Sequence, residues 1–499
     1  MTTQTSAKSN FVRILIGLAL SVLSGLMLTA AFAPYNMWAL IFIAFLPLLI
    51  AQYRVMPAKL SSLTSAVFIG TWLYLYFGPS FFPGGIGIML ALPLIGFLLN
   101  LITQKGLRKF HEDTHYRWFI LNGVTGWVGF EIIRTFIPGI ATWGFVNYTL
   151  WEQTWLIQPV AIFSIYGLSL LIMFINYGLG QAALRLFDRR FQLDEVPSIS
   201  PQSTRRWLIG IGTASLIWTG LSLVMYFSAP TNPETVRVAA VQPGITEVAF
   251  QNPDMDHQER YDIYEAKTRE AAAQGAELIV WSELFLPFDP QEEFTTELQA
   301  LAAETGAYLV LPYGVFEEDG LRNESIILNP NGEFSELYAK AHPVLFAGEP
   351  YGLNVGTFPV YDSEIGKLAT MICYDGNYTD VTRKLAAQGA QIIVAPASDW
   401  AGIAEKQNLH LVFRAIETRT SIVNAEKAFD SVIVDPYGHI LEETVSTEPT
   451  EAILVADVPL GSADTLYIQF GDVLGWVALA GMAFFTFFSG KLAEWEKRK

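Results

Sequence analysis

The stretch KLATMICYDGNYTD, residues 367–380, reads as a buried strand that runs into a turn, and it carries the only cysteine of a 499-residue chain. The apolar run ends at Cys373, and Asp375, Gly376 and Asn377 are strong turn formers. Open α/β sheets collect their reactive groups beyond strand ends, so a thiol at this junction stands where chemistry is done. Taken alone it suits a space-filling role equally well, because free cysteine is among the most buried residue types. A lone cysteine forms no internal disulfide, so cysteine usage leaves the compartment open.

The same pattern extends on both sides of it. VRVAAVQ from Val236 reads as a strand, QERYDIYEAKTREAAAQG as a helix closed by Gly275, and AELIVWSE as a second buried strand. A helix near 291–304 leads to the strand AYLVLPYGVF, and ESIILNPNGEFSELYAK reads as a hairpin turned by Asn331-Gly332. After Cys373 come a helix near 378–388, the strand QIIVAPAS, a helix across KQNLHLVFRAIETRT, and the strands SIVNAEKAF, SVIVDPYGHIL and EAILVADVPL. Helices alternating with strands and interrupted by hairpins predict a layered α/β sandwich. Glu283 ends LIVWSE and Lys340 ends ELYAK, as Cys373 ends LATMIC, so three reactive side chains are expected at strand exits. Their chemistry is complementary: a carboxylate takes the thiol proton, and an ammonium stabilises the thiolate and the oxyanion formed when it attacks an acyl carbonyl. Singly, Glu283 and Lys340 also fit ordinary surface charges. No phosphate loop, dinucleotide fingerprint or metal-ligand spacing occurs, so no cofactor and no metal are expected.

Composition divides the chain. It is 52% hydrophobic and only 16% charged, with a net charge of −17, which excludes nucleic acid as a partner because that requires clustered Lys and Arg. Apolar runs long enough to cross a bilayer lie near 11–33, 37–52, 60–78, 84–103, 117–135, 156–184, 206–228 and 468–489. Three domains follow: a seven-helix transmembrane domain over 1–228, an extramembrane domain over 229–467, and a final helix with its tail over 468–499. Lys and Arg fill alternate loops, as in Arg54 and Lys59, Lys105 to Arg117, and Arg185 to Arg206, whereas 34–36, 79–83 and 136–155 have none. That asymmetry predicts cytoplasmic termini and an extramembrane domain on the outer face. Glu131 and Arg134, three residues apart in the fifth run, suit an ion pair near the helix end.

The blocks VRVAAVQPGI, LIVWSELFLP, YAKAHPVLFAGEPYG and ATMICYDGNYTD resemble the carbon-nitrogen hydrolase, or nitrilase, superfamily. The apolar half, with AFAPYNMWAL and WGFVNYTLWEQTWLIQPVAIFSIYGLSLLIMFIN, narrows the resemblance to the apolipoprotein N-acyltransferase family. What the resemblance implies is a nitrilase-like αββα domain on a multi-pass helical membrane domain, with Glu283, Lys340 and Cys373 as catalytic triad. It further implies a phospholipid acyl donor, a cysteine thioester, an apolipoprotein acceptor carrying a diacylglyceryl-cysteine, and a site in the bacterial inner membrane facing the periplasm. A membrane-anchored amidase, or an N-acyltransferase with another amine acceptor, is the alternative. Glu349 matches the family's second glutamate and Tyr374 follows the nucleophile as in the family, whereas Asp375 stands where a glutamate is usual. Trp281, Phe346 and Trp400 are candidates for an acyl entrance, or else core aromatics. Asn424, Ala425 and Glu426 replace the family's usual Asn-Thr-Gly, a departure in a region expected to meet the acceptor.

Overall fold

A computed structural model describes residues 2–81, 86–137, 139–192, 196–247, 255–345 and 348–498. Among these, seven helical segments are long and apolar enough to cross a membrane, from Asn10–Ala31 to Val473–Lys497. The expected eighth, at 117–135, is the helix Phe119–Arg134, whose 16 residues rise only about 24 Å against about 30 Å of hydrocarbon. It packs against the helices Val160–Phe191 and Val473–Lys497. The chain then leaves helical geometry, with Gly139 and Gly144 in left-handed conformations, and the buried turns that follow are held by the two ionisable groups of the helix. Arg134 donates to the Trp143 carbonyl, and Glu131 accepts from the Val146 N–H at 3.2 Å and the Trp127 indole at 3.0 Å.

The second apolar run is also irregular, passing from a 3₁₀ turn at Trp38–Phe42 through one α-turn at Leu46–Ile50 into a π-turn at Ala51–Val55. Backbone groups freed by such a break need partners inside a bilayer. Asn176 supplies them by donating to the Ile41 carbonyl at 2.7 Å and accepting from the Phe45 N–H at 3.2 Å, while Ser24 donates to Ala44 and accepts from Leu48.

The extramembrane part contains two six-stranded sheets. The strands are β1 (Thr235–Gln242), β2 (Leu278–Val280), β3 (Tyr308–Glu317), β4 (Gly320–Leu328), β5 (Tyr338–Ala339), β6 (Val360–Ser363), β7 (Gly366–Thr370), β8 (Ile392–Pro396), β9 (Ser421–Ala425), β10 (Val432–Val434), β11 (Ile440–Glu443) and β12 (Ala452–Pro459). Their orders are β12-β1-β2-β3-β4-β5 and β11-β10-β9-β8-β7-β6. In each sheet three central strands run parallel, β1 to β3 and β7 to β9, flanked by antiparallel neighbours. The near-continuous apolar runs of the central strands follow, since both their faces are covered. Val238, Ala240, Val280 and Val310 meet Leu368, Ile392, Val394 and Val423 between the sheets. The helices His257–Ala273 and Thr295–Thr305 cover the outside of the first sheet. The expected αββα sandwich on a helical membrane part is therefore present.

The outer layer of the second sheet packs against the apolar helical part. Leu409, Phe413 and Ile416 of the helix Ala404–Thr418 belong to one continuous core with Trp72, Phe145, Tyr148 and Ile172 of the membrane part. Every residue of that helix except Glu405 is buried, including Arg414 and Glu417, which form a 2.7 Å ion pair. Polar bonds cross the same boundary: Glu417 accepts from the Ile165 N–H at 2.9 Å, Arg419 donates to Gln158 at 2.7 Å, and Thr142 donates to the Asn377 carbonyl at 2.6 Å.

Candidate active site

Three strand exits converge. Glu283 lies three residues beyond β2, Lys340 immediately after β5, and Cys373 three residues beyond β7, at the start of a 3₁₀ turn Cys373–Asn377. Cys373 has φ +45°, a conformation a non-glycine residue keeps only where its surroundings enforce it. The enforcement is visible in Asp375, which accepts from the Tyr338 hydroxyl at 2.6 Å, the Ile372 N–H at 3.1 Å and the His342 N–H at 2.8 Å. One carboxylate thus ties the Cys373 turn to the segment carrying Lys340. Gln407 holds the same turn from the other side by donating to the Cys373 carbonyl at 2.9 Å.

The Lys340 ammonium donates to Glu283 Oε1 and to Glu349 Oε2, both at 2.8 Å. Asn323 Nδ2 bridges the same two carboxylates, at 2.7 Å to Glu283 and 2.9 Å to Glu349, and the Val344 N–H adds a bond to Glu349 at 2.7 Å. Burial would depress the lysine, but the two carboxylates hold it well above its usual value, and it remains a cation. Burial would raise Glu349, and Lys340 holds it below the ordinary carboxylate range. The Cys373 thiol is pushed well up by burial and by the charges of Asp399 and Glu283, with Lys340 opposing them. At rest it is therefore a thiol, and its Sγ–H is directed at Asp399 Oδ1, 3.5 Å away.

The supporting candidates divide. Tyr374 is buried beside Tyr378 and hydrogen-bonded to it. Trp400 sends its indole N–H to the Ser80 carbonyl at 2.6 Å, joining the loop after β8 to the end of the membrane helix Ser61–Phe81. Trp281 stands apart from that junction, stacked on Tyr264 at 4.3 Å and donating to Thr268 at 3.0 Å in the outer core of the first sheet. Phe346 lies outside the described residues.

The carbon-nitrogen hydrolase family model matches residues 237–467, the segment that holds all of these groups. A nitrilase of Pyrococcus abyssi is 30% identical over 254 residues, 45% of this chain and 90% of the relative. The chain belongs to the carbon-nitrogen hydrolase family. The apolipoprotein N-acyltransferase N-terminal domain model matches residues 24–178, so ahead of its hydrolase-like domain the chain carries a segment similar to the N-terminal domain of the apolipoprotein N-acyltransferases. An apolipoprotein N-acyltransferase of Geobacter metallireducens is 27% identical over 500 residues, 93% of each chain. One of Gloeobacter violaceus is 25% identical over 511 residues, 92% of this chain and 91% of the relative. With its apolar helices, the chain is a multi-pass membrane protein.

Reading the sequence missed Asn323 and Asp399 as members of this cluster. Asp399 ends QIIVAPASD as Glu283 ends LIVWSE, so the strand-exit signal was present in it. Asn323 lies inside β4, where a polar residue carries no mark of which face it serves.

Proposed function

We propose that this protein transfers an acyl chain from a membrane phospholipid, through a thioester on Cys373, to the N-terminal amine of a diacylglyceryl-cysteine lipoprotein. The observation that carries the reading is the Lys340 ammonium, bonded to Glu283 and Glu349 and acting electrostatically on the Cys373 thiol. Glu283 takes the thiol proton, the thiolate attacks the ester carbonyl, and Lys340 stabilises the oxyanion. The lysophospholipid leaves with a proton from Glu283, and the amine of the acceptor then attacks the thioester, passing a proton through Glu283 to the departing sulfur, which is released as the Cys373 thiol. Glu349 and Asn323 hold Lys340 and Glu283 in register, and Asp375 sets the turn that presents the sulfur.

The similarity of the whole chain to apolipoprotein N-acyltransferases supports this acceptor, as does the core shared between the helix Ala404–Thr418 and the membrane helices. Both substrates keep their acyl chains in the bilayer, so a site resting on it gathers them by proximity. Exclusion of water protects the thioester from hydrolysis. In this reading residues 1–228 form the membrane domain, 229–467 the catalytic domain and 468–499 the returning helix. The distribution of Lys and Arg favours cytoplasmic termini and a catalytic domain on the periplasmic face of the inner membrane, with Phe119–Arg134 and its buried turns as the short crossing.

The test is intact-mass analysis of the purified protein in phospholipid-detergent micelles. An acyl adduct on the parent that is absent from Cys373→Ala, and that discharges to a diacylated lipopeptide amine, is the expected result. No adduct refutes the thioester, and discharge to water alone makes the protein a hydrolase.

A further inference from the structure

The acyl-transfer reading, on which this inference rests, leaves one proton without an acceptor. An N-terminal amine has a pKa of roughly 7.7–8.0, so at neutral pH it arrives largely as an ammonium. Conversion to an amide removes two protons from nitrogen. One follows the departing sulfur through Glu283, and the other needs a second base.

A second carboxylate already touches the sulfur. Asp399, three residues beyond β8, accepts from Cys373 Sγ at 3.5 Å. Its own N–H donates to Glu426 Oε2 at 3.0 Å, and its carboxyl group faces that of Glu426 in a contact that is a hydrogen bond only when one of them holds a proton. Asp399 is 8% exposed and Glu426 1%. Burial raises Asp399 to about 6, and burial with the Asp399 charge raises Glu426 well above the carboxylate range. At neutral pH the pair therefore carries one proton and one negative charge. The groups facing it are Cys373, Glu283, Lys340 and Lys427. Lys427 is 1% exposed, and its Nζ has no hydrogen-bond partner among the described residues. Lys340 is already shared between Glu283 and Glu349, so the charge on Asp399 is the one beside the sulfur that a cationic nucleophile can meet. The Asp399 loop is fastened to the membrane part through Trp400 to Ser80 at 2.6 Å and Lys406 to the Tyr76 carbonyl at 2.9 Å.

We propose that Asp399, sharing a proton with Glu426, receives the ammonium of the acceptor beside the thioester and takes its surplus proton. The step balances. The ammonium, the thioester and the singly protonated pair give the amide, the free thiol of Cys373 and a doubly protonated pair; a C–N bond forms, a C–S bond breaks, and the pair later returns its proton to water. Asp399 is the catalytic residue of this step, and Glu426 is a positioning residue that acts through it.

The experiment separates the half-reactions. The parent, Asp399→Asn and the double variant Asp399→Asn/Glu426→Gln are charged with acyl groups from phospholipid micelles, and the Cys373 adduct is quantified by intact mass. The double variant keeps a hydrogen-bonded pair of amides and is the check on folding. Discharge is then timed with a diacylated lipopeptide and with hydroxylamine, which is uncharged at pH 7. The expected result is that both variants form the adduct but discharge to the lipopeptide about tenfold more slowly at pH 7, where only about a tenth of the amine is unprotonated. That loss closes as pH rises past the amine's value of about 8, and hydroxylamine discharges them near the parent rate. Equal losses toward the two nucleophiles, no loss toward either, or an adduct missing from both variants but present on the parent would each overturn the assignment. An adduct missing from the parent would instead defeat the acyl-transfer reading.

Discussion

Replacing Lys340 with Met keeps most of the side-chain volume and removes the charge that two buried carboxylates share. Lys340 lies 2.8 Å from both Glu283 and Glu349, and the three side chains are 3%, 2% and 11% exposed. Breaking a buried ion pair from one side costs about 3–5 kcal/mol. For a domain of roughly 230 residues each kcal/mol moves the melting midpoint by about 2–4 °C, so Lys340→Met is expected to melt roughly 6–20 °C below the parent at pH 7. The pH dependence gives the sharper signature. In the parent the folded pKa of Glu349 is depressed, so its contribution to stability is present above the unfolded carboxylate value near 4.3 and is lost as pH falls through the folded one. In the variant, burial acts on Glu349 without the compensating cation, so its folded carboxyl holds a proton more tightly than the unfolded one, and the deficit shrinks as pH falls from 7 to 5. Thermal melts in detergent, followed by exposure of the single thiol to a fluorogenic maleimide, measure both effects. A deficit below about 2 °C at pH 7, or one that grows on acidification, would refute the placement of this cation. Acylation of Cys373 should fall by about 100-fold to 1000-fold as the oxyanion loses its donor.

Burial and the Asp399 charge hold the thiol high, so alkylation of the parent by iodoacetamide should still be climbing at pH 9. Asp399→Asn removes the negative charge 3.5 Å from the sulfur and should speed alkylation at pH 8 about tenfold; an unchanged rate would count against that contact. Glu417→Leu strands the fully buried Arg414 and should lower stability by about 3–5 kcal/mol. The double variant Arg414→Met/Glu417→Leu should recover part of this in the same melts, less the lost acceptor for the Ile165 N–H. In a Cys373→Ala background, Cys introduced at Val445, which is 74% exposed, should react with a membrane-impermeant maleimide in intact spheroplasts. Cys at Lys497 should react only after permeabilisation, and the reverse pattern would invert the proposed topology.

Two strand exits of the sandwich were legible because a buried parallel strand is an unbroken apolar run, and Glu283 and Cys373 each close one, whereas Lys340 closes the short antiparallel edge strand β5. Asp399 closes another, but a carboxylate at the start of a loop carries no mark in the sequence of what it faces. The structure supplies this through Trp400 and Lys406, whose partners Ser80 and Tyr76 lie more than 300 residues earlier in the chain. The same long-range contact explains the helix Ala404–Thr418. Its sequence alternates polar and apolar residues like a surface helix, yet it is buried on all sides because the membrane part covers the face that water would otherwise wet. Arg414 and Glu417 survive there as a pair, each the other's replacement for solvent. The apolar runs hid their breaks, and one of the eight, at 117–135, is a helix too short to stand among the seven segments long enough to cross. Ser24 in the preceding span and Asn176 in a span far along the chain satisfy the free backbone groups of the interrupted run at Trp38–Val55. A polar side chain in an apolar span is therefore best read as a statement about the neighbouring span, and Asp399 as one about the membrane end that holds its loop: in both cases the group's purpose lies in the element it faces, which only the fold supplies.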